Sequence, residues 1–248
     1  MVIKMNRKIN GVVLRETPNG EKGKLLSVLT RDEGVITISA TGAKNISSSY
    51  LKSVQLFAYS AFTVYEKGGR RTLTEAELID GFYTLRNDIE TLSLASYIAE
   101  TSLISAVPAD DGILRLVLNC FFALTQKKAE VKTVKAVYEY RLCLSLGLAP
   151  DFSGCSSCGG EGGVFDFGES LFYCSKCAPE VENCVKLGRG VASALDYLNS
   201  CDMGRILMFS LDAGEKQGFF DFCEKYLINS LEQSPPTLSF YKKVCEEI

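Results

Sequence analysis

The chain has 248 residues, 46% of them hydrophobic and 23% charged, with a net charge of −3 and no histidine. Such totals describe a globular chain long enough for one large domain or two to three small ones. The missing histidine excludes Ser-His-Asp and Cys-His catalysis, H-E-x-x-H zinc chemistry and His-ligated metals; an enzyme would have to work through Lys, Asp, Glu or Cys, and none is expected.

The first residues, Met1-Val2-Ile3-Lys4-Met5, carry no apolar segment of the export type, and no run of 18 apolar residues follows. Neither export nor membrane insertion is expected, so the ten cysteines are read in a reducing, cytoplasmic compartment. Charge is uneven along the chain. Residues 1–80 hold 12 Lys and Arg against 8 Asp and Glu, an excess of +4, while the remainder carries −7. The basic part is the N-terminal part.

Residues 9–80 read as β. A first apolar run at 9–17 is closed by Pro18-Asn19-Gly20, and a second strand spans 24–30. A third spans 35–40, with Ile36, Ile38 and Ala40 on one face. A polar loop follows at 41–49. The pattern then predicts a long strand over 54–66, a turn at Gly68-Gly69 and a fifth strand over 72–79. Five strands in about 70 residues, with no helical period, predict an OB-type barrel over 1–82, with an SH3-like barrel as the alternative.

From Asp88 the period becomes helical. Ile89, Leu92, Ala95, Ala99, Leu103 and Ala106 form one stripe; Ile113, Val117, Phe121 and Leu124 form a second; Val134, Tyr138, Leu142 and Leu146 form a third, closed by Gly147. Helical signals return at 191–198 and 219–231. Thr237 is read as the cap of a last helix over 238–246. The expected architecture is therefore α+β: a five-stranded barrel, then an all-α domain over 83–248 with a metal-type insert at about 151–182.

That insert runs Cys155-Ser156-Ser157-Cys158, 15 intervening residues, then Cys174-Ser175-Lys176-Cys177. Two CxxC pairs at this spacing suit one tetrahedral Zn²⁺ held by four thiolates. The alternatives are two disulfides or four reduced thiols. A closed all-sulfur site has no open coordination position, so it braces a fold rather than performing chemistry. Cys184 is the nearest substitute ligand. Cys120, Cys143, Cys184 itself, Cys201, Cys223 and Cys245 read as small buried hydrophobes.

The barrel carries Arg15, Lys22, Lys24, Arg31, Lys44, Lys52, Lys67, Arg70 and Arg71, several of them at strand ends and loops. On an OB barrel, cations follow phosphates and aromatics stack on bases; Phe57, Tyr59 and Tyr65 are the aromatic candidates. Taken singly, each reads as solvated surface or barrel core; taken together, they read as a nucleic-acid face. Gly20-Glu21-Lys22-Gly23-Lys24-Leu25 fails as a phosphate loop, because Pro18 and Leu25 occupy the places of a glycine and of the Mg²⁺-holding Ser/Thr. Arg141, on an apolar helix, is a candidate for capturing a partner peptide's carboxylate or, equally, for a local ion pair.

An ordered set of short motifs carries a family likeness. It comprises Gly11-Val12-Val13-Leu14-Arg15, Leu29-Thr30-Arg31-Asp32-Glu33-Gly34 and Thr74-Glu75-Ala76-Glu77-Leu78. It continues with Leu94-Ala95-Ser96-Tyr97-Ile98-Ala99-Glu100 and with Tyr140-Arg141-Leu142 leading to Leu146-Gly147-Leu148-Ala149-Pro150-Asp151, just ahead of the first cysteine pair. The chain resembles the bacterial RecO family of DNA repair and recombination mediators. The resemblance implies binding of single- and double-stranded DNA, annealing of complementary strands, and help in loading the recombinase onto DNA coated by single-strand-binding protein. It implies RecR and the acidic C-terminal tail of the single-strand-binding protein as partners, and a cytoplasmic, nucleoid-associated location. A zinc-knuckle interaction adaptor with incidental DNA affinity is the alternative.

Overall fold

The structure, a computed structural model, describes residues 5–21, 23–41, 50–105 and 111–247. The predicted site residues Lys22 and Lys44 lie outside them. Packing divides the chain into two units: Met1–Gln126 with Pro235–Ile248, and Lys127–Ser234.

The first unit is built on a closed barrel of β1 (Met5–Asn19), β2 (Gly23–Thr30), β3 (Gly34–Ala40), β4 (Tyr59–Lys67) and β5 (Arg70–Asp80). Around the barrel the order is β1-β2-β3-β5-β4, closing back onto β1, with β3 and β5 parallel and every other pair antiparallel. That is the OB arrangement rather than the SH3-like alternative. Ile9, Val13, Leu26, Val28, Ile36, Ile38, Phe62 and Val64 fill the interior. Val12, Val13 and Leu14 are all buried, which strict alternation forbids; a register shift between Val13 and Arg15 supplies the extra residue. Gly11 is fixed by close approach, since a Cβ there would lie 2.6 Å from the Leu29 carbonyl oxygen. The Gly68-Gly69 turn has φ of +57° and +74°, the two positive values that a two-residue I′ hairpin requires.

The predicted long strand over 54–66 is half right. Only Tyr59 onward is strand, and a short 3₁₀ turn, Lys52–Val54, comes before it. Between the two, Phe57 adopts φ +67° and donates its N–H to the Val13 carbonyl at 2.7 Å. Phe82, after the barrel, is also left-handed at φ +42°. Both rings meet Phe121 edge-on, at 5.3 and 5.6 Å between centroids. A non-glycine residue at positive φ costs on the order of 1–3 kcal/mol, and here the shared aromatic contact offsets it.

Phe121 belongs to α2 (Asp111–Thr125), which follows α1 (Ile89–Ser105). The predicted α2 stripe is buried throughout, Ile113, Val117, Phe121 and Leu124 included. α1 differs from its predicted stripe. Ile89 is about half exposed, while Leu94, Tyr97, Ile98, Thr101 and Ser102 are buried beside Ala95 and Ala99. Hydroxyls hide the pattern in sequence: Ser93, Ser96 and Thr101 donate back to carbonyls three or four residues earlier in the helix, so they are satisfied without water.

The second unit holds α3 (Val131–Ser145), a three-stranded sheet of β6 (Val164–Asp166), β7 (Leu171–Tyr173) and β8 (Cys184–Lys186), then α4 (Arg189–Ser200) and α5 (Ala213–Leu231). Gly147 ends α3 at φ +81°. Lys135, on α3 and almost wholly buried, joins Glu139 at 2.7 Å and Glu224 of α5 at 2.8 Å. The chain then returns to the first unit with α6 (Pro236–Glu247), which packs against α1. Pro236 occupies the first helical turn. Thr237, read from sequence as a cap, donates both its N–H and its hydroxyl to Glu100 of α1.

Candidate metal centre and nucleic-acid interface

The Sγ atoms of Cys155, Cys158, Cys174 and Cys177 all lie within 4.8 Å of one another, and all four are free thiols rather than disulfides. Each CxxC closes a tight turn. The Gly159 N–H donates to the Cys155 carbonyl at 2.8 Å, and the Cys177 and Ala178 N–H groups donate to the Cys174 carbonyl. Gly159, at φ +70°, lets the first turn reverse. Cys158 and Cys174 Sγ are 3.8 Å apart. Sulfurs at about 2.3 Å from one tetrahedral Zn²⁺ would be about 3.8 Å apart, so the donor set fits that ion. The backbone N–H of Cys174 leads the groups that hold the Cys155 thiol down at about 6. Cys174 is lowered chiefly by the Lys176 N–H, whereas the hydrogen bond with Cys174 pushes Cys177 up to about 12. Four crowded sulfurs share protons in this way unless a cation neutralises them. Cys184 is not in the cluster; its thiol donates to the Pro179 carbonyl from β8.

An aromatic cluster seats this hairpin within its unit. Phe165 of β6 contacts Phe152, Phe167, Phe222 and Tyr226 at ring distances of 5.0–5.8 Å. Phe222 and Tyr226 of α5 stack on each other, and Lys225 places its ammonium 4.3 Å from the Phe167 ring centre.

The predicted barrel cations part into groups. Arg15, Arg31, Lys67 and Arg70 are exposed. Gly20-Glu21 and the Gly68-Gly69 turn share one end of the barrel, because the start of β2 pairs with the end of β3, and the end of β3 with the start of β5. Lys67 and Arg70 face each other across that turn. Lys24 is mostly covered and bonded to Glu16 at 2.6 Å. Arg71, also mostly covered, is held by Glu33 at 2.7 Å and Glu66 at 3.7 Å, and Glu33 in turn binds Arg7 at 2.7 Å. These links tie the two-residue β3–β5 seam to the β2–β3 turn and to β1. Tyr59 and Tyr65 of β4 are half-buried. Phe57 is the correction: it has no exposed surface, because its left-handed backbone turns the ring onto Phe121, and it offers no face to a base. Arg7, Lys8 and Arg115 are cations that sequence reasoning passed over. Arg115 had a signal, as the sole Lys or Arg of α2.

Among the described residues Arg141 forms no ion pair, the second of the two roles expected of it. Its Nη1 donates to the carbonyls of Leu198 and Cys201 at 2.5 and 3.2 Å, closing the C-terminal turn of α4. Its neighbour Tyr140 donates to Asn199, which donates to the Pro150 carbonyl, so α3 is fastened to α4 and to the approach to the first cysteine pair.

A five-stranded OB barrel followed by helices that carry a four-thiol hairpin defines a class of barrel-and-knuckle proteins. Two family profiles narrow the class: Recombination protein O N terminal matches residues 5–82 and Recombination protein O C terminal matches residues 86–239, so the chain belongs to the RecO family. Curated relatives named "DNA repair protein RecO" agree. The chain is 28% identical to the Acetivibrio thermocellus protein over 95% of its own length and 96% of the relative's. It is 28% identical to that of Alkaliphilus metalliredigens over 91% and 97%, and 23% identical to that of Clostridium acetobutylicum over 97% and 98%. Among the described residues no helix is long and apolar enough to cross a membrane.

Proposed function

We propose that this protein is a non-enzymatic mediator of DNA repair and recombination. It binds single- and double-stranded DNA, anneals complementary strands, and helps load the recombinase onto DNA coated by single-strand-binding protein. The observation that carries this reading is the OB strand order in the part of the chain that also holds the cationic excess. Cations on a barrel surface neutralise phosphates, so two strands approach and pair without nucleotide hydrolysis. Arg15, Arg31, Lys67 and Arg70 are the exposed candidates, with half-buried Tyr65 of β4 as the candidate ring. Lys24 and Arg71 are engaged with carboxylates and contribute less.

The four cysteines would hold one structural Zn²⁺, which supplies a cross-link between the two knuckles and no chemistry. RecR and the acidic tail of the single-strand-binding protein are the partners this reading assigns, with Arg141 as candidate for the tail's carboxylate. The setting is cytoplasmic and nucleoid-associated.

The test is annealing of complementary oligonucleotides, one fluorescent, with the metal-loaded protein over a salt series. The rate is expected to rise with protein at low salt and to fall as salt rises. In parallel equilibrium titrations, the slope of log K against log salt should be about −0.7 per single-strand phosphate contact and about −0.9 per duplex contact. Equal rates with and without protein at low salt would refute the reading.

A further inference from the structure

Two grooves on the outside of the first unit share Asn10 and Arg31. One, about 380 Å³, runs between the start of β1 and the β2–β3 turn and carries Arg7, Lys8 and Arg31. The other, also about 380 Å³, lies between Tyr59 at the head of β4 and helix α2; Arg31 and Arg115 rim it, and Leu114 and Leu118 form its apolar wall. The acids in the first groove are Asp32, beside Arg31, and Glu33, already held by Arg7 and Arg71. Arg31 follows the last residue of β2, so this region sits at the other end of that strand from Gly20-Glu21. It is separate from the end of the barrel that carries Lys67 and Arg70.

We infer that the groove bounded by Tyr59, Arg31 and Arg115 seats one unstacked nucleotide of single-stranded DNA, a deepening that rests on the DNA-binding reading above. A half-buried phenol ring beside two leucines offers a base a stacking partner and an apolar wall. Two guanidiniums at the rim offer its phosphate bidentate donors. The Asn10 amide can donate to and accept from a base edge or sugar. The volume lies in the range of small-molecule sites, roughly 300–1,000 Å³. A paired duplex base is stacked on both faces and cannot enter, so the seat selects single strands. The neighbouring groove continues the path for the following phosphates through Lys8, while Arg7, engaged with Glu33, contributes less.

The test measures binding of the full-length metal-loaded protein to fluorescent oligo-dT and to a duplex of equal length, by anisotropy across a salt series. Arg115→Gln is expected to weaken oligo-dT binding about tenfold and to flatten its salt slope by about 0.7, with duplex binding unchanged. Tyr59→Ala is expected to weaken it about tenfold, and Tyr59→Phe to bind as wild type, because the ring rather than the hydroxyl stacks. Should Tyr59→Ala fail to fold, photocrosslinking of wild-type protein to 5-iodouracil oligonucleotides decides, with the label expected on Tyr59 or on the α2 peptide. Wild-type protein that binds DNA while Arg115→Gln and Tyr59→Ala bind as well as it does, or crosslinks found only elsewhere, would overturn the seat and leave the DNA reading standing. Wild-type protein that retains no oligonucleotide removes both. Displacement of oligo-dT by polyglutamate at equal charge concentration would assign the groove to an acidic protein segment and overturn the inference.

Discussion

At the scale of the residue, the four cysteines carry the sharpest consequence. Their geometry asks for a cation, and thiolates bind it only when deprotonated. Cys155, lowered to about 6 by N–H donors, favours its thiolate at neutral pH; that preference is present above the ordinary thiol value of 9 and is lost as pH falls through about 6. One zinc per chain is expected at pH 7.5, with release setting in on acidification below about 6 and none bound by Cys158→Ser. Metal analysis of purified protein against pH checks this; a metal content of zero at pH 7.5 would end the claim. This site was legible in the sequence because CxxC spacing is local, and the knuckle needs nothing from the rest of the chain. Phe57 and Arg141 were not legible in the same way. A left-handed phenylalanine and an arginine closing another helix's terminus depend on partners 64 and 57 residues away. Residue type alone made the phenylalanine look like a stacking ring and gave no sign that the arginine closes α4.

Among the elements, the helix pair α3–α5 holds a buried charge cluster that no periodicity announces. Burial alone would lower Lys135, but Glu139 and Glu224 outweigh it and raise the ammonium above its ordinary 10.5. Its contribution is therefore fully present below that value and lost only as pH rises beyond the folded-state value. Lys135→Met alone leaves Glu139 charged in the interior and is expected to cost about 3–5 kcal/mol, whereas Lys135→Met with Glu139→Leu should fall close to wild type. Chemical denaturation at pH 7 reads both; equal losses in the single and double variants would show that the cluster matters through shape rather than charge. The barrel strands were legible to within a few residues because alternation and turn glycines are short-range signals. The false start of β4 and the shifted face of α1 were not. In the first case, contacts with Phe121 override strand propensity; in the second, back-bonded serines and threonines pass for surface.

For the whole molecule, connectivity decides what can be removed. The first unit is discontinuous: α6, which packs on α1, comes after the entire second unit. Leu238, Tyr241 and Val244 of α6 are buried, and their loss costs on the order of 5 kcal/mol by area burial. Deleting residues 235–248 should therefore lower amide protection in α1 and in the barrel while leaving α3 and α5 protected. Unchanged exchange in α1 would contradict this. The same arrangement sets a timetable at the ribosome. Translation of the intervening segment, roughly a hundred residues at about 5–20 residues per second, leaves the apolar side of α1 bare in the nascent chain for on the order of ten seconds. A slow stretch of codons in that segment would lengthen the interval in which a chaperone, rather than α6, covers the helix.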